Sequence, residues 1–246
     1  MVFTHAIIEV PLEVNRVLTS ILAPGVEPGP VVPHAVSRRL FTIRTADSRG
    51  HRSGASILVN RMYATRGYHT KSLRNEPDSH RITLIAGEAD AVMGTITIGF
   101  DSGAGLLSDE LFRDEINLFR TAGQQVCEFT TLAVDRVVKS KRVLASLFHV
   151  AYIIAHRING IQNLVIEVNP RHVRFYEAML GFEVAGPERL NERVQAPAVL
   201  MRLALAHARE QIARCGGRPE LAAVERTLYP YFFSPADEAG ILNRLH

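Results

Sequence analysis

Residues 126–134, Val-Cys-Glu-Phe-Thr-Thr-Leu-Ala-Val, and 169–182, Asn-Pro-Arg-His-Val-Arg-Phe-Tyr-Glu-Ala-Met-Leu-Gly-Phe, frame the most regular part of the chain. The first is dense in β-branched and aromatic residues and reads as a strand. Between them, Val143 to Arg157 carries Leu144, Leu147, Phe148, Ala151, Ile154 and Ala155 on one helical face, and Gly160 ends it. Asn163 to Val168 is an apolar run of strand length. Asn169-Pro170 then supplies a cap and a first-turn proline to a helix that stops at Gly181.

The flanks extend this β-α-β-α core. Upstream, Leu40 to Thr45 alternates as a strand and Ser56 to Thr65 reads as a helix ending near Gly67. Arg81 to Ala86 and Ala91 to Phe100, joined by Gly87-Glu88-Ala89-Asp90, form a hairpin. Ser108 is placed to cap a helix with Phe112, Ile116 and Phe119 on one face, closed by Gly123. Downstream, Phe182 to Ala185 and Ala198 to Leu205 add two strands. The sum is an α/β (α+β) domain over residues 40–205 with a mixed central sheet flanked by helices.

Residues 24–33 hold four prolines, which sustain neither helix nor sheet and read as a linker. They set apart an amphipathic piece, Ile7 to Leu22, so residues 1–39 form an N-terminal extension. Residues 206–246 are a helical appendage covering part of the core, with Tyr229-Pro230-Tyr231-Phe232-Phe233 as packing aromatics.

The 246 residues are 47% hydrophobic and 22% charged, with a net charge of +3, which suits a globular domain and excludes full-length disorder. Two cysteines, Cys127 and Cys215, are too few for a disulfide framework or a four-cysteine zinc site, so a reducing cytoplasm is expected. No apolar run approaches the roughly 20 residues that span a bilayer, and Glu9 and Glu13 in a start without basic residues speak against a secretory leader. There is no P-loop, G-x-G-x-x-G after a strand, G-x-S-x-G elbow or H-E-x-x-H. The scattered histidines assemble no metal set, and the basic residues cluster at one loop without stacking aromatics, so neither metal nor nucleic acid is expected.

Residues 169–182 and 126–157, together with Arg61-Met62-Tyr63, Gly67-Tyr68 and Gly94-Thr95-Ile96-Thr97, resemble the GNAT acyltransferase superfamily. More narrowly, the chain over about 40–205 resembles the FeeM-type N-acyl amino acid synthases, relatives of the acyl-homoserine-lactone autoinducer synthases. The resemblance implies a sheet splayed between the fourth and fifth strands of the main body. It implies transfer of a long-chain fatty acyl group from an acyl carrier protein thioester to the amine of an amino acid, with no permanently bound cofactor.

Against that chemistry, aminolysis of a thioester needs a neutral amine, an oxyanion donor and relief of charge on the leaving thiolate. A backbone N–H near Leu132, Ala133 or Val134 is the expected oxyanion contact. The loop Asp135 to Arg142 lacks the glycines with which the superfamily closes backbone amides on coenzyme A. It carries Arg136, Lys139, Lys141 and Arg142 instead, charges suited to one phosphate and an acidic carrier protein. With Asn169, these residues form the expected donor site. Acyl carrier protein is therefore favoured over coenzyme A, an acetyl or acyl coenzyme A-dependent N-acetyltransferase and a catalytically silent acyl-binding module being the rivals.

Glu128 is the only carboxylate in its strand, so it must be paired, solvated or raised in pKa. It matches the glutamate of the autoinducer synthases' E-x-x-R pattern, and two roles stay open: base for the amine proton, or structural partner of a buried arginine. Arg61, Tyr63, Tyr68 and Thr131, and more weakly Asp78, are the expected acceptor-site residues. Thr97 and Thr131 stand where relatives commonly carry basic residues. Tyr176 resembles the tyrosine that protonates the leaving thiolate in many relatives, although its string to Gly181 is one residue longer than their common form. Strict alternation places Glu128, Thr130, Leu132 and Val134 on one face and Thr131 on the other, unless a bulge intervenes.

Overall fold

A computed structural model of the chain describes residues 6–12, 39–65, 67, 79–89, 91–135 and 140–245. Strands β1 (Ile8–Pro11) and β2 (Leu40–Thr45) precede helix α1 (Arg49–Ala64), the hairpin β3 (Arg81–Glu88) and β4 (Ala91–Phe100), helix α2 (Asp109–Thr121) and β5 (Val126–Val134). Helix α3 (Lys141–Tyr152), prolonged by a π turn over Ile153–Ile158, leads to β6 (Asn163–Val168) and α4 (Val173–Leu180). Strands β7 (Glu183–Val184), β8 (Arg189–Asn191) and β9 (Ala196–Ala204) follow, and α5 (Leu205–Cys215), α6 (Ala222–Glu225) and α7 (Pro235–Leu245) end the chain. The spatial order is β1-β2-β3-β4-β5-β6-β9-β7, with β8 on β9. The β5–β6 pair is parallel and the other described pairs are antiparallel.

Helices cover both faces. On one, the α3 residues Val143, Leu147 and Phe148 pack on Ile96, Ile98, Phe129 and Ile166, with Val173, Tyr176 and Met179 at the margin. On the other, Phe112 and Ile116 of α2 meet Val126, Val165 and Leu200, while Leu58, Val59 and Met62 of α1 meet Ala133. Gly94 faces α3: a Cβ there would lie 2.9 Å from the Leu147 side chain, so its lack of one lets α3 sit close to the sheet.

Most elements form where local signals place them. Ser140 caps α3 through the Val143 N–H, Asn169 caps the turn before α4, and Gly123, Gly160 and Gly181 stop their segments with positive φ. The exceptions come from contacts distant in sequence. Residues 8–11 are not part of a separate extension: they add an edge strand to β2, with Ile7 and Val10 buried in the main core. Helix α1 starts at Arg49, seven residues before its apolar face emerges, because Ser48 caps the His51 N–H and Gly54 lets the helix approach Val92. The expected linker at 24–33 lies outside the described residues. No described helix is long and apolar enough to cross a membrane.

The C-terminal helices are built into the core. Ala208, Ile212, Tyr229, Phe232, Phe233 and Ile241 join the cluster that contains α3. At this junction His149 is fully buried between Phe232 and Phe233, with ring centroids at 5.0 and 5.2 Å. Its Nδ1 accepts from the Phe233 N–H at 2.9 Å, which leaves Nε2 as the protonated nitrogen, 3.2 Å from Glu238 Oε2. Arg157 pairs with the other Glu238 oxygen. Burial pushes His149 below the ordinary histidine value, with Arg157 adding to the shift and Glu238 and Asp237 opposing it. Burial opposes ionisation of Glu238, but the His149 hydrogen bond and the charges of His149, Arg157 and Arg209 hold it below the usual carboxylate value.

Below pH 6.5 the unfolded chain binds a proton that folded His149 refuses, so stability drains away as pH falls. The loss should reach up to about 1.4 kcal/mol per pH unit. Glu238 adds to the loss in the same direction nearer its own ordinary value of 4.5. Thermal melts between pH 8 and 5 are expected to show a Tm that declines below 6.5, with a shallower decline in His149→Gln; parallel curves for the two proteins would contradict this account.

Candidate active site

Cross-strand register builds the site one row at a time. Arg81 of β3, Gly99 of β4 and Glu128 of β5 lie opposite one another in a single row. Gly99 makes room for the other two: a Cβ there would lie 2.9 Å from Glu128 Cγ and 3.0 Å from Arg81 Nη2. Glu128 is 1% exposed and each of its oxygens accepts two hydrogen bonds. Oε1 takes them from Arg81 and the Leu107 N–H, Oε2 from the N–H and hydroxyl of Ser108 at 3.0 and 2.6 Å. Ser108 is thus spent on Glu128 and does not cap α2 as its sequence position suggests; Asp109 accepts from the Leu106 N–H in that turn.

The next row is made of threonines, Thr83, Thr97 and Thr130. Here β5 carries a bulge. Thr95 opposes Ala133 and Thr97 opposes Thr130, so Thr131 and Leu132 face one residue of β4, and Thr131 has φ +50°. The extra residue changes which way the rest of the strand points. Thr131 donates to Thr97 Oγ1 at 2.6 Å on the Glu128 face, Ala133 follows on that face against α1, and Leu132 and Val134 turn toward α3. The alternation expected without a bulge fails from Thr131 onward.

Strands β5 and β6 pair only at Val126–Asn163, Cys127–Leu164 and Glu128–Val165. Beyond these they diverge, although β5 continues to Val134 and β6 to Val168. The Asp135 N–H bonds Met93 of β4. Backbone groups alternate sides along a strand, so the Val134 N–H points away from β4 into the gap. A carbonyl oxygen lodged there would find a strand N–H that has no strand neighbour to bond.

The expected donor residues divide accordingly. Leu132 and Val134 line the α3 side of the gap, while the Ala133 side chain is turned away from it. Lys141 is exposed at the first residue of α3, and Arg142 follows half-buried; Arg136 and Lys139 lie outside the described residues. The Asn169 side chain is occupied, accepting from the Arg171 N–H at 3.2 Å and donating to Pro197 O at 3.3 Å. Tyr176 is half-buried on α4, edge-to-face with Phe175 and Phe182 at centroid distances of 5.3 and 5.6 Å.

On the opposite face, Arg61 in the last turn of α1 bonds Asp135 at 2.6 Å just beyond β5, and Tyr63 packs beside Leu58, Val59 and Met62. Thr131 shares that face. Tyr68 and Asp78 lie outside the described residues. Of the two roles open for Glu128, the geometry is that of the arginine partner. Its two oxygens accept from four donors: Arg81, the Leu107 N–H, and the N–H and hydroxyl of Ser108.

One carboxylate that sequence reasoning passed over belongs here. Glu167 of β6 lies two residues past Val165, on the Glu128 face and beyond the last β5–β6 pair. Its side chain is 14% exposed, held by Asn191 at 2.6 Å and Arg193 at 3.1 Å. Burial pushes its pKa up and the charge of Glu128 adds to the rise, while Arg193 and the Asn191 hydrogen bond pull it down, the net direction being upward. A single acid in an apolar strand was the available signal, as it was for Glu128.

A mixed sheet whose parallel pair opens after three residues, with helix α3 beginning just beyond the open end of β5, is the frame of a GNAT-type N-acyltransferase, and this protein is one. The sequence model described as "N-acyl amino acid synthase FeeM" matches residues 54–204. The chain belongs to that family. It is similar to the structure of FeeM, an N-acyl amino acid synthase from uncultured soil microbes, with a TM-score of 0.62 and 26% identity over 69% of this chain and 93% of that one. Further likenesses are a putative N-acetyltransferase from Lactobacillus plantarum (TM-score 0.49, 17% identity, 67% and 98% coverage) and the AHL synthase LasI (0.46, 15%, 67% and 90%). No curated protein matches the chain at a significant level.

If Gly99 exists to seat the Arg81–Glu128 pair, Gly99→Ala should lower stability by about 1–3 kcal/mol through overpacking. Gly103→Ala, with nothing within 4 Å of the added carbon, should leave it unchanged. Denaturant titrations of both variants check this; equal midpoints would show that the row tolerates a side chain at its centre.

Proposed function

We propose that the protein moves a long-chain acyl group from the phosphopantetheine thioester of an acyl carrier protein to the amine of an amino acid. The observation that carries this reading is the gap between β5 and β6, with the Val134 N–H turned into it and opposite faces of the sheet available to two substrates. The thioester arm enters on the α3 side, between Leu132 and Val134 of one strand and Ile166 and Val168 of the other. The amino acid comes from the α1 side, where Arg61, Tyr63 and Thr131 stand.

Attack of the amine on the thioester carbon puts negative charge on the carbonyl oxygen, and the Val134 N–H stabilises it there. Such a donor is fixed before the reaction and needs no reorganisation, which is why its contribution is large in a water-poor site. Tyr176, on the donor face, is the proton source for the departing thiolate. Glu128 positions: it holds Arg81 and the Leu107–Ser108 turn at the acceptor side.

Donor choice rests on the loop before α3. With no glycine between Asp135 and Arg142, tight backbone wrapping of a pyrophosphate is disfavoured. Four cationic side chains suit a single phosphate on an acidic helical protein, where rim charges steer encounter. A reducing cytoplasm, where such carriers work, is the compartment this reading requires.

The direct test is purified protein with palmitoyl–acyl carrier protein or palmitoyl coenzyme A and a mixture of the twenty amino acids, products followed by mass spectrometry. An N-palmitoyl amino acid should form, with kcat/KM at least about tenfold higher for the carrier protein. Neutralising Arg136, Lys139, Lys141 and Arg142 together should erase that preference by raising KM. Equal or better use of coenzyme A overturns the donor assignment. Binding of the acylated carrier with no acylated amino acid would make this a binding module.

A further inference from the structure

Thr130 and Glu167 occupy equivalent places on the two lips of the gap. The last β5–β6 pair is Glu128–Val165, so in a sheet that stayed zipped the next pair on the same face would be Thr130–Glu167. The strands part at that step instead. Both residues therefore stand where the α1 side of the sheet opens onto the thioester path. Thr130 Oγ1 is buried without a hydrogen-bond partner among the described residues, which is uncommon enough to need a reason.

The carboxyl groups of Glu128 and Glu167 differ in how much capacity they have left. Glu128 accepts two bonds on each oxygen. Glu167 Oε2 accepts from Asn191 and Arg193, but among the described residues Oε1 accepts only from Arg193, at 3.1 Å, which leaves a lone pair on Oε1 unclaimed by them. Both donors come from the β8–β9 hairpin, and Arg193 also binds Glu110 of α2 at 3.1 Å. The carboxylate is thus oriented by groups outside its own strand, and its 14% exposure gives a proton a way out.

We infer that Glu167 is the base of the acyl transfer, accepting the proton of the attacking amine, with Thr130 Oγ1 as a hydrogen-bond partner that orients the amine. This deepens the reading proposed above and rests on it. The neutral amine attacks the thioester carbon, an N–C bond forms and the carbonyl electron pair moves to oxygen. Glu167 Oε1 takes the proton from the now cationic nitrogen. When the carbonyl re-forms, the C–S bond breaks, its electron pair leaves on sulfur, and the thiolate takes up a proton from Tyr176, which water restores.

Ionised Glu167 is the active form, so kcat/KM must fall as pH drops through its pKa. The charged groups facing it are Glu128 from β5, which raises that pKa, and Arg193 from the hairpin, which lowers it. Behind these, Arg81 is paired with Glu128 and Glu110 with Arg193. Removing the Arg193 charge should therefore move the acidic limb to higher pH, which a merely structural role for Glu167 would not produce.

The experiment is kcat/KM against pH for wild type, Glu167→Gln and Arg193→Gln, with palmitoyl–acyl carrier protein and whichever amino acid the wild type acylates. Glu167→Gln should lose about 100-fold or more and its acidic limb, the range expected for general-base catalysis, while its affinity for the acylated carrier stays within threefold. Arg193→Gln should keep an acidic limb, whatever its turnover, with that limb shifted to higher pH. Turnover of Glu167→Gln within threefold of wild type, with the same profile, overturns the base assignment and leaves acyl transfer standing. Should Glu167→Gln fail to fold, an unmoved limb in Arg193→Gln overturns it instead. A wild type that acylates no amino acid from either thioester overturns the acyl-transfer reading itself, and this inference with it.

Discussion

Everything at this site depends on β5 and β6 ceasing to pair after Glu128 and Val165. A parallel pair that opens leaves strand N–H and C=O groups without neighbours, a cost that a fold bears only where something else takes their place. The bulge at Thr131 is the local cause on the β5 side. One extra residue bends the strand, tips Thr131 into a left-handed conformation that β-branched side chains avoid, and repays part of that strain with the bond to Thr97. On the β6 side, the strand stays bonded to β9 along its whole length, Asn163–Ala204 to Val168–Val199. The opening is therefore held from outside on both sides: β5 by β4, β6 by β9.

The same bulge separates the work of the two faces. Before it, Glu128 and Thr130 look toward α2; after it, Leu132 and Val134 look toward α3, so apolar side chains line the donor side and polar ones the acceptor side. The row Arg81–Gly99–Glu128 then ties β3, β4, β5 and the start of α2 into one unit. A buried carboxylate with four donors is a firm anchor, since losing any partner would leave charge unpaired in the interior. The β8–β9 hairpin does the equivalent for Glu167 with Asn191 and Arg193, but with three hydrogen bonds among the described residues instead of four.

Local signals in the chain were enough for the identity and order of most elements between Leu40 and Ala204. Helix stops at Gly123, Gly160 and Gly181, the caps at Ser140 and Asn169, and the hairpin before Phe100 depend on neighbours a few residues away. The splay between the fourth and fifth strands of the main body came from the resemblance and is present. What escaped reading had distant causes. Strand β1 is four residues whose partner lies some thirty residues on, β8 is three residues long, and the polar first turns of α1 show no apolar stripe. Ser108 looks like a cap until Glu128 arrives from another strand to claim it.

The amino-acid sequence alone determined the alternation of strands and helices, the glycine-free basic loop and the presence of lone acids in two apolar strands, because each of these is a property of residues near one another along the chain. Only the tertiary structure decided what the acids do. Whether a carboxylate has two, three or four hydrogen bonds, which face it looks toward, and where a parallel pair comes apart are all set by register between strands far apart in sequence. A single inserted residue at Thr131 reverses every facing after it, and nothing in the local pattern records that insertion.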